Sequence, residues 1–367
     1  MQVDRHIKSD ILVMGSGIAG LQTALRCAKQ GLKVAVAETA PTLSAGATTR
    51  SGDLVHAGGF HSALIDDEDR AVLTGTHCAE GHRLTLEHCP EGIRQDAAPV
   101  FLAINNPDLA NRALERWKKI GIRHNQVSRS EALSRIKLDG FKPPAETFFF
   151  ETDDKPFDWS LYCRKLRYEI EALGGSIFLS AALVNRDSGV CFFAGQQHTR
   201  VSFRCLVHTT GFGISGSLLT HHDYFDTGLK TEVWKSLSLI VPRINQHGFL
   251  FVDKGFPSFM PAGHYSIINV SQLDHQTESV NFTEDPRQRS LLGAALEAVG
   301  LSISHPLYQT GEFRTCLKPN LIAPDGQRKV DISAFRLSDE DIIGLPGKAT
   351  TAPLLAEKIF SLIKANH

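Results

Sequence analysis

An α/β fold of Rossmann type with a β-rich second region is predicted for this 367-residue chain by three observations. A glycine-spaced strand–turn–helix pattern opens the chain at "DILVMGSGIAGLQTALRCA". A strand, glycine turn and helix close it at "DIIGLPGKATTAPLLAEKIFSLIKA". Between them "EVWKSLSLIVPRI", "GFLFVD" and "HYSIINVS" are strand-like runs without helical period, bounded by Gly, Pro or Asp.

The opening segment parses piece by piece. Ile11 to Met14 form the short apolar run of a buried parallel strand. Gly15, Gly17 and Gly20 follow as GxGxxG, then Leu21, Leu25 and Ala28 recur at helical spacing until Gly31. Val34 to Ala37 give a second strand that ends at Glu38. In such a unit the first glycine makes the turn and the second admits a pyrophosphate to the backbone. The third lets helix and strand pack closely, and the helix N-terminus faces the phosphates with N–H groups and its positive dipole end. Glu38 is placed to accept the ribose hydroxyls of an adenosine, and an acid there argues against a 2′-phosphate, hence against NADP.

A second GxGxxG, at Gly211, Gly213 and Gly216 in "CLVHTTGFGISG", lacks a convincing helix and acid-ended strand after it. The alternative is a strand that returns to the first nucleotide turn and stops in a glycine turn. At the C-terminal end Leu354, Leu355, Ile359, Leu362 and Ile363 share one helical face. The preceding loop, Gly347-Lys348-Ala349-Thr350-Thr351, is then a helix N-terminus able to face an anion, or one simply capped by Thr350 or Thr351. "NPDLANRALERWKKIG" reads as a further helix, with Leu109, Ala113 and Trp117 near four-residue steps.

Composition narrows the function classes. A chain that is 42% hydrophobic and 22% charged suits a globular protein with a substantial core, and its length suggests about two domains. A net charge of −1 without basic blocks gives no general attraction to nucleic acid or anionic lipid. Seven scattered cysteines, with no CxxC pair, point to reduced thiols rather than a disulfide framework. No metal-ligand spacing occurs among the sixteen histidines; His221 and His222 adjoin but lack partners. No apolar window reaches the roughly 18 residues of a transmembrane helix, so the expectation is a cytoplasmic protein.

"TTRSGDLVHAGGFH", Thr48 to His61, sets a histidine among small residues, and so few side chains suggest a bulky group against the backbone. His56 is either a structural hydrogen-bonder or a proton acceptor, since its ordinary pKa lies near working pH. His61 and Lys348 read as surface residues.

Taken together, four stretches resemble the D-amino-acid-oxidase superfamily of FAD-dependent oxidoreductases, in its glycerol-3-phosphate dehydrogenase and L-2-hydroxyglutarate dehydrogenase branch. They are "GSGIAG…E", "GATTRSGDLVHAGGF", "FDWSLYCRKLRYEIEALGGSI" leading to "LVHTTGFG", and "GEFR…IIGLPGKATTAPLLAEKI". The resemblance implies a discontinuous FAD domain over residues 1–95, 155–225 and 310–367. It also implies an inserted α+β substrate domain, built on an antiparallel sheet, over 96–154 and 226–309. The implied cofactor set is Gly15, Ser16, Gly17, Ile18, Ala19, Gly20, Glu38, Thr39, Thr48, Thr49, Arg50, Ser51, Val184, Thr210, Gly211, Gly347, Lys348, Ala349, Thr350 and Thr351. Thr49 to Ser51 fall by resemblance to the diphosphate and ribityl region, Val184 to the adenine and Gly347 to Thr351 to the pyrimidine edge of the flavin. Arg314 matches the arginine that holds the substrate's anionic group, and His56 the base of the hydroxy-substrate members.

The activity so implied is oxidation of a C–OH carbon in a small anionic substrate, a 2-hydroxy acid or polyol phosphate, with hydride passing to flavin N5. The alternatives are oxidation of a C–N bond in an amino acid or amine, and a flavin subunit that only relays electrons; His56 as a covalent flavin link is a further option. Two departures weigh against glycerol phosphate. Phe60 stands where those members carry an arginine, and Thr315 follows Arg314 where a proline is usual. Respiratory members have an extra C-terminal domain that this chain is expected to lack. The electron acceptor, whether oxygen, quinone or protein, leaves no motif.

Overall fold

The structure, a computed structural model, describes residues 4–187, 189–194, 198–213, 230–270, 273–277, 281–302, 304–322, 328–329 and 331–365. They form two compact units: residues up to Thr49, Trp159–Val233 and from Lys318 onward in the first, Arg50–Asp158 and Trp234–Leu317 in the second.

The first unit is organised by a sheet with strand order Ser333–Arg336, Asp341–Leu345, Cys205–His208, Ile11–Met14, Val34–Ala37 and Ser176–Phe178. Its inner neighbours are parallel, and only the edge strand Ser333–Arg336 runs antiparallel. Ile11–Met14 and Val34–Ala37 are buried at every position, as a strand covered on both faces requires. Helices Ile18–Ala28, Trp159–Ala172 and Ala352–Lys364 cover this sheet, and the first packs against the other two. A smaller sheet, Arg5–Lys8, Thr199–Ser202, Val190–Ala194 and Ala182–Asp187, packs Cys191, Phe193 and Val201 against Leu12, Met14, Ala35 and Leu206 of the larger one.

Asp341 fastens three of these strands. Its carboxylate, 4% exposed, accepts from His208 Nε2 at 3.0 Å, Arg186 Nη2 at 2.6 Å and Ser338 Oγ at 3.0 Å. Burial opposes the charge, but His208 and Arg186 outweigh it and hold the Asp341 carboxyl well below the usual carboxylate range.

In the second unit a mixed sheet runs through residues 238–242, Tyr265–Val270, Pro257–Ala262, Gly248–Phe251, Val100–Ile104, Phe148–Thr152 and His124–Val127. All of these pairings are antiparallel except Gly248–Phe251 with Val100–Ile104. The antiparallel sheet expected here therefore contains one parallel pair. Alternation along Val100–Ile104 divides the core: Val100, Leu102 and Ile104 pack with Phe60, Ala113 and Trp117, whereas Phe101 and Ala103 pack with Phe249, Phe259 and Leu292.

The helix read from "NPDLANRALERWKKIG" spans Pro107–Ile120; the Asn106 side chain accepts from the N–H groups of Asp108 and Leu109, and Gly121 closes it in the left-handed region. Residues 50–95, expected with the nucleotide domain, belong to the second unit, because helices Gly59–Leu64 and Glu68–His88 pack on Pro107–Ile120. All seven cysteines are buried. Among the described residues no helix is long and apolar enough to cross a membrane. Gly216, the segment after it and His221–His222 lie outside the described residues.

Asp341 is depressed in the folded state, so its contribution is present above the unfolded value near pH 4 and is lost as pH falls below it. Asp341→Asn is expected to cost about 2 kcal/mol in urea unfolding at pH 7, where a buried ionic partner is removed. The gap between variant and parent should narrow as the buffer is taken below about pH 4; a gap that widens there contradicts this account.

Candidate functional site

Four adjacent parallel strands of the first unit deliver the predicted cofactor segments from their carboxyl ends. Ile11–Met14 leads into Gly15–Gly20, Val34–Ala37 into Glu38 and Thr39, Cys205–His208 into Thr210 and Gly211, and Asp341–Leu345 into Gly347–Thr351. Ligands of open α/β sheets bind at such an edge.

The glycines are required there. Gly15 has φ +99°, and a Cβ on it would lie 2.7 Å from the Thr209 carbonyl oxygen. A Cβ on Gly20 would lie 1.9 Å from the Gly15 carbonyl oxygen, so the helix Ile18–Ala28 approaches the turn as closely as a backbone allows. Gly17 offers the helix no side-chain cap; the Thr48 hydroxyl instead accepts from the Ile18 N–H at 3.1 Å. Thr209 ties the returning strand to the turn by donating from N–H and Oγ to the Met14 carbonyl, at 3.0 and 2.8 Å. The second glycine repeat therefore starts in a returning strand, with Gly211–Gly213 as one 3₁₀ turn.

Glu38 occupies the expected strand end, and it also holds the loop. Its Oε2 accepts from the N–H and hydroxyl of Ser16 at 2.9 and 2.8 Å, and its Oε1 from the Ala40 N–H at 2.9 Å and the Thr39 hydroxyl at 3.3 Å. The Thr39 contact is the longest and comes from a rotatable group, so it is the position at which a ribose hydroxyl can substitute. Ser44 donates twice to Ser16, from its N–H to the hydroxyl at 3.1 Å and from its hydroxyl to the carbonyl at 2.9 Å, and Thr49 donates to the Ser44 carbonyl at 2.6 Å. Val184 is 54% exposed, at an irregularity in the register of Ala182–Asp187.

Thr350 and Thr351 are buried, and Thr351 does not cap Ala352–Lys364 with its side chain. Its hydroxyl donates back to the carbonyls of Pro346 and Lys348, so Thr351 is not the cap of this helix. The Thr210 hydroxyl is buried without a hydrogen-bond partner among the described residues. Open helix starts, glycines with no room for a Cβ and an unsatisfied buried hydroxyl at one sheet edge fit a dinucleotide such as FAD.

Arg50, Ser51, His56 and Arg314 belong to the second unit. Arg314, in residues 312–317 of a strand, donates from Nη2 to the Ser51 carbonyl at 3.2 Å, and its Nε is buried without a partner among the described residues. Arg50 lies over the Phe282 ring at 4.1 Å and donates to the Thr315 carbonyl at 3.3 Å. His56 follows the short strand Leu54–Val55 and is about one-fifth exposed, with Nδ1 3.5 Å from Asp154 Oδ1.

The small residues around His56 are explained by helix packing. Gly58 has φ +103°, and a Cβ on it would lie 2.4 Å from the Gly75 carbonyl oxygen in helix Glu68–His88. Trp117 Nε1 donates to the Gly59 carbonyl at 2.9 Å, and buried Arg116 donates to the carbonyls of Ser62, Ile65 and Asp66. The bulky group expected against Gly58 and Gly59 is thus the protein's own helices. His61, expected at the surface, is 5% exposed and meets His56 edge-on at 4.4 Å between ring centroids. Phe60 is a core residue that also stacks near His56 at 5.9 Å. Lys348 is half-buried.

Four polar residues join this region without having been legible. Asp154 is fully buried and accepts from the Ala57 N–H at 2.9 Å and the Thr152 hydroxyl at 2.6 Å. Asp53 has φ +48°, and its Oδ2 lies 3.6 Å from Arg94 Nη2 and 3.4 Å from the Tyr265 hydroxyl. Burial pushes the Asp53 carboxyl up to about 6, against the lowering pull of Arg94 and Arg314, and Asp158 adds to the rise. The only sequence signal was acids beside turns, which most surface loops share.

The model of the FAD dependent oxidoreductase family matches residues 10–312. No curated protein matches the chain in sequence. Among solved structures, L-proline dehydrogenase from P.horikoshii is 16% identical with TM-score 0.74, the match covering 98% of this chain and 94% of that one. L-alpha-glycerophosphate oxidase from Mycoplasma pneumoniae, solved with FAD bound, is 14% identical with TM-score 0.72, covering 97% and 95%. Glycine oxidase from Geobacillus kaustophilus is 14% identical with TM-score 0.69, covering 98% and 96%. At these identities the likeness is one of fold.

Asp53 carries a proton in the fold at pH values where the unfolded chain has lost it, so its contribution is full below about pH 4 and is lost as pH rises through about 6. Asparagine tolerates the left-handed backbone and carries no charge. Asp53→Asn is therefore expected to match the parent in chemical denaturation at pH 4 and to exceed it by about 2 kcal/mol at pH 8. A variant weaker than the parent at pH 8 contradicts this.

Proposed function

The chain belongs to the FAD dependent oxidoreductase family, and on that footing we propose that it oxidises a C–OH carbon of a small anionic substrate, of 2-hydroxy acid or polyol phosphate type. FAD, when bound, supplies the hydride acceptor at flavin N5. In the first unit Gly15–Gly20, Glu38, Thr39, Thr48, Thr49, Val184, Thr210, Gly211 and Gly347–Thr351 hold the cofactor. The helix N-termini at Ile18 and Ala352 face its negative groups.

One observation carries the substrate reading. Arg314 is fastened to the Ser51 carbonyl, five residues before His56 in the same segment, so a permanent cation and an accessible imidazole are held by one short stretch of backbone. Arg314 binds the substrate's anionic group, bidentately for a carboxylate. His56 takes the hydroxyl proton as the C–H bond breaks. Phe60 supports a carboxylate over a phosphate, because the position is filled by a core aromatic that offers no second cation. A C–N bond needs no such base, since a neutral amine releases hydride directly; L-proline dehydrogenase and glycine oxidase share this fold.

The test is anaerobic bleaching of the holoprotein's visible flavin band by lactate, malate, 2-hydroxyglutarate and glycerol 3-phosphate beside glycine, proline and sarcosine. A hydroxy compound is expected to bleach it, and His56→Gln to slow that reduction about a hundredfold or more. Bleaching by an amino compound at a rate unchanged in His56→Gln overturns the proposal.

A further inference from the structure

Asp154 is an unusual place for a charge. Its side chain has no exposure to solvent, and it stands two residues after the strand Phe148–Thr152, which opens with three phenylalanines. Burial acts against the charged form, but the His56 ring facing it and hydrogen bonds from the Thr152 hydroxyl and the Ala57 N–H together keep the Asp154 carboxyl below its ordinary range. One oxygen, Oδ1, takes the Ala57 N–H at 2.9 Å and faces His56 Nδ1 at 3.5 Å; the other, Oδ2, takes the Thr152 hydroxyl at 2.6 Å. His82, whose Nε2 lies 2.9 Å from the neighbouring Asp153 carbonyl, also stands in its field, and burial disfavours the His82 cation.

The carboxylate therefore faces the His56 ring at 3.5 Å and holds the backbone N–H of the next residue. Phe60 stacks against the ring and His61 meets it edge-on, so the imidazole is held from three directions. A permanent acceptor opposite Nδ1 selects the tautomer with hydrogen on Nδ1, because the other tautomer would set two lone pairs against each other. Tautomer choice matters for a base: with hydrogen on Nδ1, the lone pair lies on Nε2.

We propose that Asp154 is a positioning residue that fixes His56 as the Nδ1–H tautomer, making Nε2 the atom that receives the substrate's hydroxyl proton. This rests on the reading of His56 as the base. In that step the substrate O–H bond breaks, its electron pair stays on oxygen, and the proton forms a bond to Nε2. His56 becomes an imidazolium whose charge is compensated by Asp154, which itself remains a carboxylate. The proton then leaves Nε2 to water, which reaches a ring one-fifth exposed.

The direct test is a long-range ¹H–¹⁵N correlation spectrum of holoprotein labelled with ¹⁵N-histidine, recorded where the His56 ring is neutral and assigned by His56→Gln. The expected result is hydrogen on Nδ1 of His56 and a bare Nε2 in the parent. In Asp154→Ala the acceptor opposite Nδ1 is removed, so hydrogen is expected to move to Nε2. Flavin reduction by the substrate is then expected to fall about a hundredfold or more while FAD stays bound. An Nε2–H tautomer in the parent overturns the inference, as does an Asp154→Ala variant with the parent's tautomer. The parent measurement stands even if the variant does not fold. Failure of the underlying reading shows separately, as unchanged flavin reduction in His56→Gln whatever the tautomer.

Discussion

The absence of one carbon atom at Gly20 is the constraint on which the first unit depends. A Cβ there would lie 1.9 Å from the Gly15 carbonyl and 2.7 Å from the Thr209 hydroxyl. Helix, turn and returning strand can meet only because that space is empty. Once they meet, the rest follows in order. Thr209 closes the strand end on Met14, Thr48 reaches the first helical N–H, and Ser16 is drawn onto Glu38. The convergence also leaves Thr210 with a buried hydroxyl that the described residues do not satisfy. A phosphate-bearing ligand fits that edge because the backbone has already been brought to it.

The second unit solves a different problem, the burial of charge near an imidazole. Asp154 and Asp53 are both almost free of solvent and both belong to the region around His56 and Arg314, yet they are driven in opposite directions. Asp154 has a backbone N–H, a hydroxyl and an imidazole within reach of its oxygens, and remains charged. Asp53 has a guanidinium at 3.6 Å and a phenol at 3.4 Å, and these with the charge of Arg314 do not repay its desolvation, so its pKa rises. Carboxyls separated in this way are available for different roles, one as a fixed charge and one as a group that changes protonation near neutrality. Arg116 shows a third solution, a buried cation bonded to the carbonyls that end the helix after His56.

Much of the first unit was legible because its signals are local. Gly15, Gly17, Gly20 and Glu38 stand at fixed spacing within one strand–helix–strand unit, and the closing segment repeats strand, turn and helix. His56 and Arg314 stood out only through a family resemblance, since a histidine near glycines and an arginine in a strand have many ordinary explanations. What stayed hidden was tertiary. Asp154 is 98 residues from His56 and Tyr265 is 212 from Asp53, and nothing in "ETDDKPFD" distinguishes the acid that turns inward from its neighbour. The packing of the glycines after His56 stayed hidden for the same reason: Gly58 yields to Gly75 and Gly59 to Trp117, contacts that no window of sequence contains.

The measurement that bears most directly on this account is the equilibrium affinity of Gly20→Ala for FAD, read from flavin fluorescence together with the visible spectrum of the purified protein. The parent is expected to be yellow and to retain FAD through purification. The added methyl must push the helix away from the Gly15 turn, so the variant is expected to lose at least about a hundredfold in affinity. A Gly20→Ala protein that holds FAD as tightly as the parent would contradict the claim that this contact builds the cofactor site.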